Sequence, residues 1–102
     1  MPNFCLTLAD VLLIPVHPFA PLDLATIRTL GAQPELVLKL QRYTAPFDLT
    51  GQPTMTLPGG CSETALPIGF QLVAAHWAEA MLIEISIAFQ EATGWHARHP
   101  PA

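Results

Sequence analysis

Charge is what this chain has least of. Of its 102 residues, 12% are charged, about half the usual share for a globular domain. Four Lys and Arg stand against eight Asp and Glu, giving a net charge of −4. A small domain has much surface to cover with polar groups, and this one owns few. The deficit points to a surface that other protein covers, with a low-charge, poorly soluble small domain as the plainer alternative. The basic residues Arg28, Lys39, Arg42 and Arg98 are scattered. Phosphate neutralisation needs them clustered, so nucleic acid is not an expected partner. Long apolar runs are also missing. The run from Val11 to Leu22 is broken by Pro15, Pro18 and Pro21 and is too short for a bilayer, so no membrane partner is expected. No basic stretch opens the chain, and no signal peptide is expected. Cys5 and Cys61 are the two cysteines, too few for a disulfide framework. A reduced, cytoplasmic setting follows by default.

Apolar residues are plentiful, at 51%. The length suits one domain. "DVLLIP", Asp10 to Pro15, is a short continuous apolar run that predicts a buried strand with proline at its exit. A helical turn is expected around Leu24 to Leu30. Pro34 suits the first turn of a helix, and Leu36, Leu40, Tyr43 and Phe47 form an amphipathic stripe after it. Pro46 predicts that this helix ends or kinks just before it. "TMTLP", Thr54 to Pro58, and "PIGFQLVAA", Pro67 to Ala75, predict a strand pair, with Gly59 and Gly60 permitting the turn. Gly69 predicts a second backbone close by. From His76 to Thr93, Trp77, Met81, Ile85, Ala88 and Ala92 share one helical face. Gly94 is a candidate left-handed cap, and Pro100 and Pro101 forbid resumption.

Reactive constellations are scarce as well. Cys61 with His76 could pair a thiolate with a base, but a loop and a predicted strand separate them, and an inert thiol is the plainer reading. Ser62 lacks the strand–Ser–helix elbow of a nucleophile. His96 and His99 supply two imidazoles, with no third or fourth metal ligand in pattern. Asp48 and Glu63 are lone carboxylates without a companion for acid–base work; Asp48 suits the turn at "DLTG". "PGG" lacks the Lys-Ser or Lys-Thr pair of a phosphate cradle.

The backbone-shaping residues carry the strongest pattern. "APFDLTGQPTMTLPGG", then "LPIGFQLVA", then "AEAMLIEISIAFQEATGWHARHP" resembles the C-terminal end of the amidase signature family. Phe47, Asp48, Thr50, Gly51, Pro53, Pro58, Gly60, Leu66, Pro67, Gly69, Gln71, Trp95 and His96 match that family's order and spacing. The likeness is dense from Tyr43 to Arg98 and thinner from Ala9 to Pro21. Departures are Gly59 where Cys is common, Ala65 where Gly often makes the turn, and Ala74 where Gly often ends the strand. The resemblance implies an α/β fold, a mixed sheet with flanking helices, in which residues 1–102 are the C-terminal segment of a larger amidase domain. It implies hydrolysis of carbon–nitrogen amide bonds by a nucleophilic serine, a second serine in a cis peptide, and a lysine. Those groups belong to a Gly/Ser-rich signature and a preceding Lys that this chain lacks; Lys39 is its only lysine and does not precede such a signature. No catalytic residue, metal or cofactor is therefore expected here. By position, Gln41, Thr44 and Phe47 are the candidates to line the substrate pocket; ordinary core and turn roles are the bland reading of each. The expected partners are the N-terminal amidase portion or a second copy meeting through apolar faces. A non-catalytic interaction module that reuses this piece of fold is the alternative.

Overall fold

The computed structural model describes residues 9–100. Cys5 and Pro101 lie outside the described residues. The elements in order are strand β1 (Val11–Pro15), helix α1 (Leu24–Arg28), a 3-10 turn (Leu30–Ala32), helices α2 (Pro34–Gln41) and α3 (Ala45–Thr50), strands β2 (Thr54–Cys61) and β3 (Pro67–Ala74), helix α4 (Glu79–Ala92) and a closing 3-10 turn (Trp95–Ala97).

The strands form a three-stranded sheet of order β1-β3-β2, and both pairings are antiparallel. The expected mixed sheet is corrected: among the described residues there is no parallel ladder. β1 and β2 run in the same direction, but β3 lies between them and opposes both. β3 is thus the central strand, and its last four residues, Gln71 to Ala74, are all buried. β1 is a half-buried edge rather than a buried strand, and its Leu13 is exposed.

Alternation along β3 sends Phe70, Leu72 and Ala74 to one face and Gln71 and Val73 to the other. On the first face Leu57, Leu72, Ala74 and Leu82 form the buried cluster, joined by Met55, Phe70, Met81, Ile85 and Phe89. The helix α4 therefore covers that face. The opposite face is covered by the link between α2 and α3: Gln71 Nε2 donates to the Tyr43 carbonyl at 2.9 Å. Val73 beneath is fully buried. Helix α4 thus flanks one face of the sheet, and the α2–α3 link reaches the other.

Several local expectations are corrected. Pro46 does not end a long helix; α2 stops at Gln41, and Pro46 sits in the first turn of α3, where its missing N–H has no partner to lose. The strand β2 runs through Gly59 and Gly60 to Cys61, with a bulge between Pro58 and Gly60. The turn comes later. Ser62 N–H donates to the Leu66 carbonyl at 2.7 Å, and Ala65 takes the left-handed conformation at φ 63°. At Gly69 a second backbone does lie near, with an added Cβ meeting the Leu57 carbonyl at 3.6 Å, though this is an ordinary contact. The close approach is at Gly59, where a Cβ would lie 2.5 Å from the Phe70 ring. α4 starts at Glu79, so Trp77 falls outside it. Trp77 has φ 68° and is 91% exposed, not part of the core stripe. Gly94 has φ −111°, so it is not a left-handed cap. Thr93 ends α4 in extended backbone, with its hydroxyl donating to the Phe89 carbonyl at 3.0 Å.

Candidate functional site

The stretch from Tyr43 to Gly60 is held to the central strand by side chains that reach backbone carbonyls. Gln71 Nε2 donates to Tyr43 O at 2.9 Å. His76 Nε2 donates to Thr50 O at 2.9 Å. Gln52 Nε2 donates to Ala74 O at 3.1 Å, and Ala74 N–H donates to Pro53 O at 3.1 Å. Gln52 and Gln71 are both buried, where a hydrogen bond to a carbonyl offsets the cost of removing an amide from water. Among the described residues no buried side-chain polar atom lacks a partner. Between these clamps α3 makes one and a half turns and closes on Gly51, whose φ of 72° gives a left-handed exit. Gly51 N–H donates to the Phe47 carbonyl at 2.9 Å. This is why a Thr-Gly-x-Pro run is needed: glycine to turn out of the helix, then proline to enter the strand.

The three candidate pocket residues gather in this link. Gln41 is the exposed last residue of α2. Its carbonyl accepts from Thr44 N–H at 3.2 Å and from Thr44 Oγ1 at 3.5 Å. Thr44 precedes α3 and is half-buried. Phe47 is 7% exposed and packs as a core residue of this chain. Two open depressions lie elsewhere. One, of about 480 Å³, is lined by Ala32, Gln33, Pro34, Glu35, Leu36 and Lys39. The other, of about 140 Å³, is lined by Gly51, His76, Trp77 and Glu79. None of the three candidates lines either. The second depression was missed by sequence reasoning, which placed Trp77 on the helix core; a strained tryptophan between strand and helix carries no pattern in the sequence.

The reactive groups stay apart. Cys61 pairs with Pro67 at one end of β3, while His76 lies beyond Ala74 at the other. β3 has eight residues, so at ~3.3 Å per residue about 23 Å of strand separates them. A Cys61–His76 dyad is ruled out by this geometry. Cys61 instead meets Arg98, whose Nη1 lies 3.6 Å from the thiol sulfur; the Arg98 guanidinium also sits 5.4 Å from the Trp95 ring centre. His96 and His99 are exposed. Among the described residues no group of three or more His, Cys, Asp or Glu is placed to hold a metal ion, and no helix is long and apolar enough to cross a membrane.

A model of the Amidase family matches residues 3–83. The chain belongs to the amidase family. The match stops within α4, so Trp95 and His96 lie beyond it. A putative amidase, AmiD, of Mycobacterium tuberculosis is 40% identical over 92 residues, which cover 90% of this chain and 19% of that protein. A glutamyl-tRNA(Gln) amidotransferase polypeptide from Thiobacillus denitrificans is 45% identical over 60 residues, 59% of this chain and 12% of that polypeptide. A 6-aminohexanoate-cyclic-dimer hydrolase from a Pseudomonas strain is 40% identical over 63 residues, 62% of this chain and 13% of the hydrolase. The chain thus spans about a fifth or less of the length of these relatives. No solved structure matches it.

Proposed function

We propose that this chain is the C-terminal portion of an amidase, contributing scaffold to a site that hydrolyses a carbon–nitrogen amide bond and supplying no catalytic residue. In such a reaction water adds across the C–N bond to give an acid and an amine. The nucleophile, its partner serine and the lysine would come from the N-terminal portion. What this chain contributes is the path of the α2–α3 link, with Gln41 and Thr44 nearest the substrate and Phe47 supporting them from below.

The observation that carries this reading is the pairing of two facts. The family likeness runs along most of the chain, yet its Cys61 thiol and its half-buried His76 imidazole stand at opposite ends of the sheet. Nucleophilic catalysis needs nucleophile and base within hydrogen-bond reach. The test is amine or ammonia release from a panel of aliphatic and aromatic amides. The purified chain should give none above buffer. Turnover by the chain alone that disappears in Cys61→Ala would overturn the proposal. Turnover should appear when the chain is co-expressed with the AmiD relative from which the matching segment has been deleted.

A further inference from the structure

The segment from Leu24 to Gln41 is the longest continuous stretch of helices without a buried residue among the described residues. α1, the 3-10 turn and α2 contain no buried residue. They pack chiefly on one another through the 3-10 turn, and His17 Nδ1 ties the far end by donating to the Leu40 carbonyl at 3.1 Å. Leu24 and Leu38 are each 69% exposed and Ile27 is 48% exposed. Helices of five and eight residues are marginal in water and take their stability from tertiary packing of an apolar face. Here that packing is only partial within the chain: Leu30, Leu36, Val37 and Leu40 are half-buried and none is buried. The larger depression, about 480 Å³, opens on this same segment and is edged by the polar groups of Gln33, Glu35 and Lys39.

From these observations, and resting on the function proposed above, we infer that the arm Leu24–Gln41 is the docking element for the catalytic portion of the amidase. The occupant is the remaining four-fifths of an amidase chain, because the relatives carry this segment within one polypeptide about five times as long. It presents an apolar surface to Leu24, Ile27 and Leu38 and polar groups to the depression. A second copy of this chain is the poorer occupant, since each copy brings a net charge of −4.

The experiment is hydrogen exchange on the chain, alone and bound to the AmiD relative lacking its matching segment. Amides of residues 24–41 should exchange fast in the chain alone and gain protection in the complex, while those of α4 stay unchanged. Leu24→Glu/Leu38→Glu should weaken the complex about tenfold or more, and should leave the melting temperature of the chain alone within about 1 °C because both side chains are exposed. Protection gained over Ile83 and Ile87 of α4 instead of the arm would overturn this inference and leave the proposed function standing. Failure of the wild-type chain to bind at all would overturn the proposed function itself. A homodimer of the chain protected over 24–41 would overturn the choice of partner. If the truncated relative is insoluble, a chimera carries the test: this chain replaces the matching segment of the relative, and the double variant must lower its melting temperature by several degrees where the isolated chain shows no change.

Discussion

Gly59 and Gly60 are neighbours in one strand, and the structure predicts opposite responses to the same substitution. A Cβ added at Gly59 would lie 2.5 Å from Cδ1 and 2.9 Å from Cε1 of Phe70; at Gly60 it would meet nothing within 4 Å. Neither glycine has a positive φ, so backbone strain does not enter. For Gly59→Ala the ring must retreat by about 1 Å to reach ordinary contact at 3.4 Å or more. It has little room. Phe70 is held edge-on to Phe89, with ring centres 5.0 Å apart and planes at 74°. Overpacking of this kind costs ~1–3 kcal/mol, and loosening the aromatic pair adds up to ~1 kcal/mol. Gly59→Ala should therefore destabilise the chain by about 2 kcal/mol, lowering its melting temperature on the order of 10 °C. Gly60→Ala should be neutral, or stabilising by up to ~1 kcal/mol, by restricting the unfolded chain.

Urea unfolding followed by far-ultraviolet circular dichroism measures both. The mechanism is checked by removing the obstacle. Phe70→Leu should cost ~1 kcal/mol alone, and the double variant Gly59→Ala/Phe70→Leu should be more stable than the sum of the singles by ~1 kcal/mol. Equal effects of the two glycine substitutions, or strict additivity of the double variant, would refute the reasoning. The first outcome would mean that the bulge at Gly59 does not bring β2 against the Phe70 ring. The second would place the cost elsewhere than in that contact.

Other outcomes follow from the same structure. Ala65 holds φ 63° in the turn after β2; Ala65→Gly should stabilise by roughly 0.5–1 kcal/mol, measured by the same unfolding curves. Gln71→Leu removes the donor to the Tyr43 carbonyl and leaves a covered acceptor unmatched, a loss of ~1–3 kcal/mol; a change within roughly 0.5 kcal/mol, no more than an ordinary surface substitution gives, would show that the clamp is unimportant. Asp23 caps α1, its carboxylate accepting from Thr26 N–H at 2.7 Å. Bonding to Thr26, side chain first and backbone second, lowers its pKa below the ordinary 3.8. Its contribution is therefore present above that ordinary value and lost as pH falls through the lowered one. Asp23→Asn should flatten that acid limb of a urea-midpoint profile while keeping an acceptor at the cap.

What the sequence disclosed and what it hid divide along a physical line. Period and punctuation disclosed the strand pair, a strand ending at Pro15 and the helix opening at Pro34, but not that the stripe of Leu36, Leu40, Tyr43 and Phe47 is divided between α2, α3 and the link joining them. Local chemistry decides each feature that was disclosed. The double glycine misled, because glycine marks a turn more often than a packing constraint, and at Gly59 the constraint is a ring from the neighbouring strand. The start of α4 was misplaced because the apolar stripe continues back to Trp77, while the chain uses Ala75 to Ala78 to turn off the sheet. Strand direction was out of reach, since the long connection from Pro15 to Thr54 allows either sense and only tertiary pairing chooses. Of the candidate site, Gln41 and Thr44 were read on one helix, and the break after Gln41 that makes the α2–α3 link was not legible. The clamps from Gln52, Gln71 and His76 were not legible either, because each bonds a carbonyl far away in sequence.

Those clamps explain how the α2–α3 link can keep its path while its surface changes. Gln71 and His76 lie outside the stretch and grip its carbonyls at Tyr43 and Thr50; Gln52 lies inside it and grips Ala74 on the central strand. None of the three contacts uses the side chain of Gln41, Thr44 or Asp48. The path of the α2–α3 link is therefore set by backbone groups that every residue owns, plus Gly51 at its one left-handed position. Under the proposed function, Gln41, exposed at the end of α2, would be open to exchange without moving the link, whereas Gln71, buried and bonded to Tyr43 O, would not. Function and stability are thus separable at this link: Gln41→Ala should leave the unfolding curve unchanged and alter turnover only in the assembled enzyme, and Gln71→Leu should move both. A Gln41→Ala chain that unfolds as easily as Gln71→Leu would show that the wall rests on its own side chains after all.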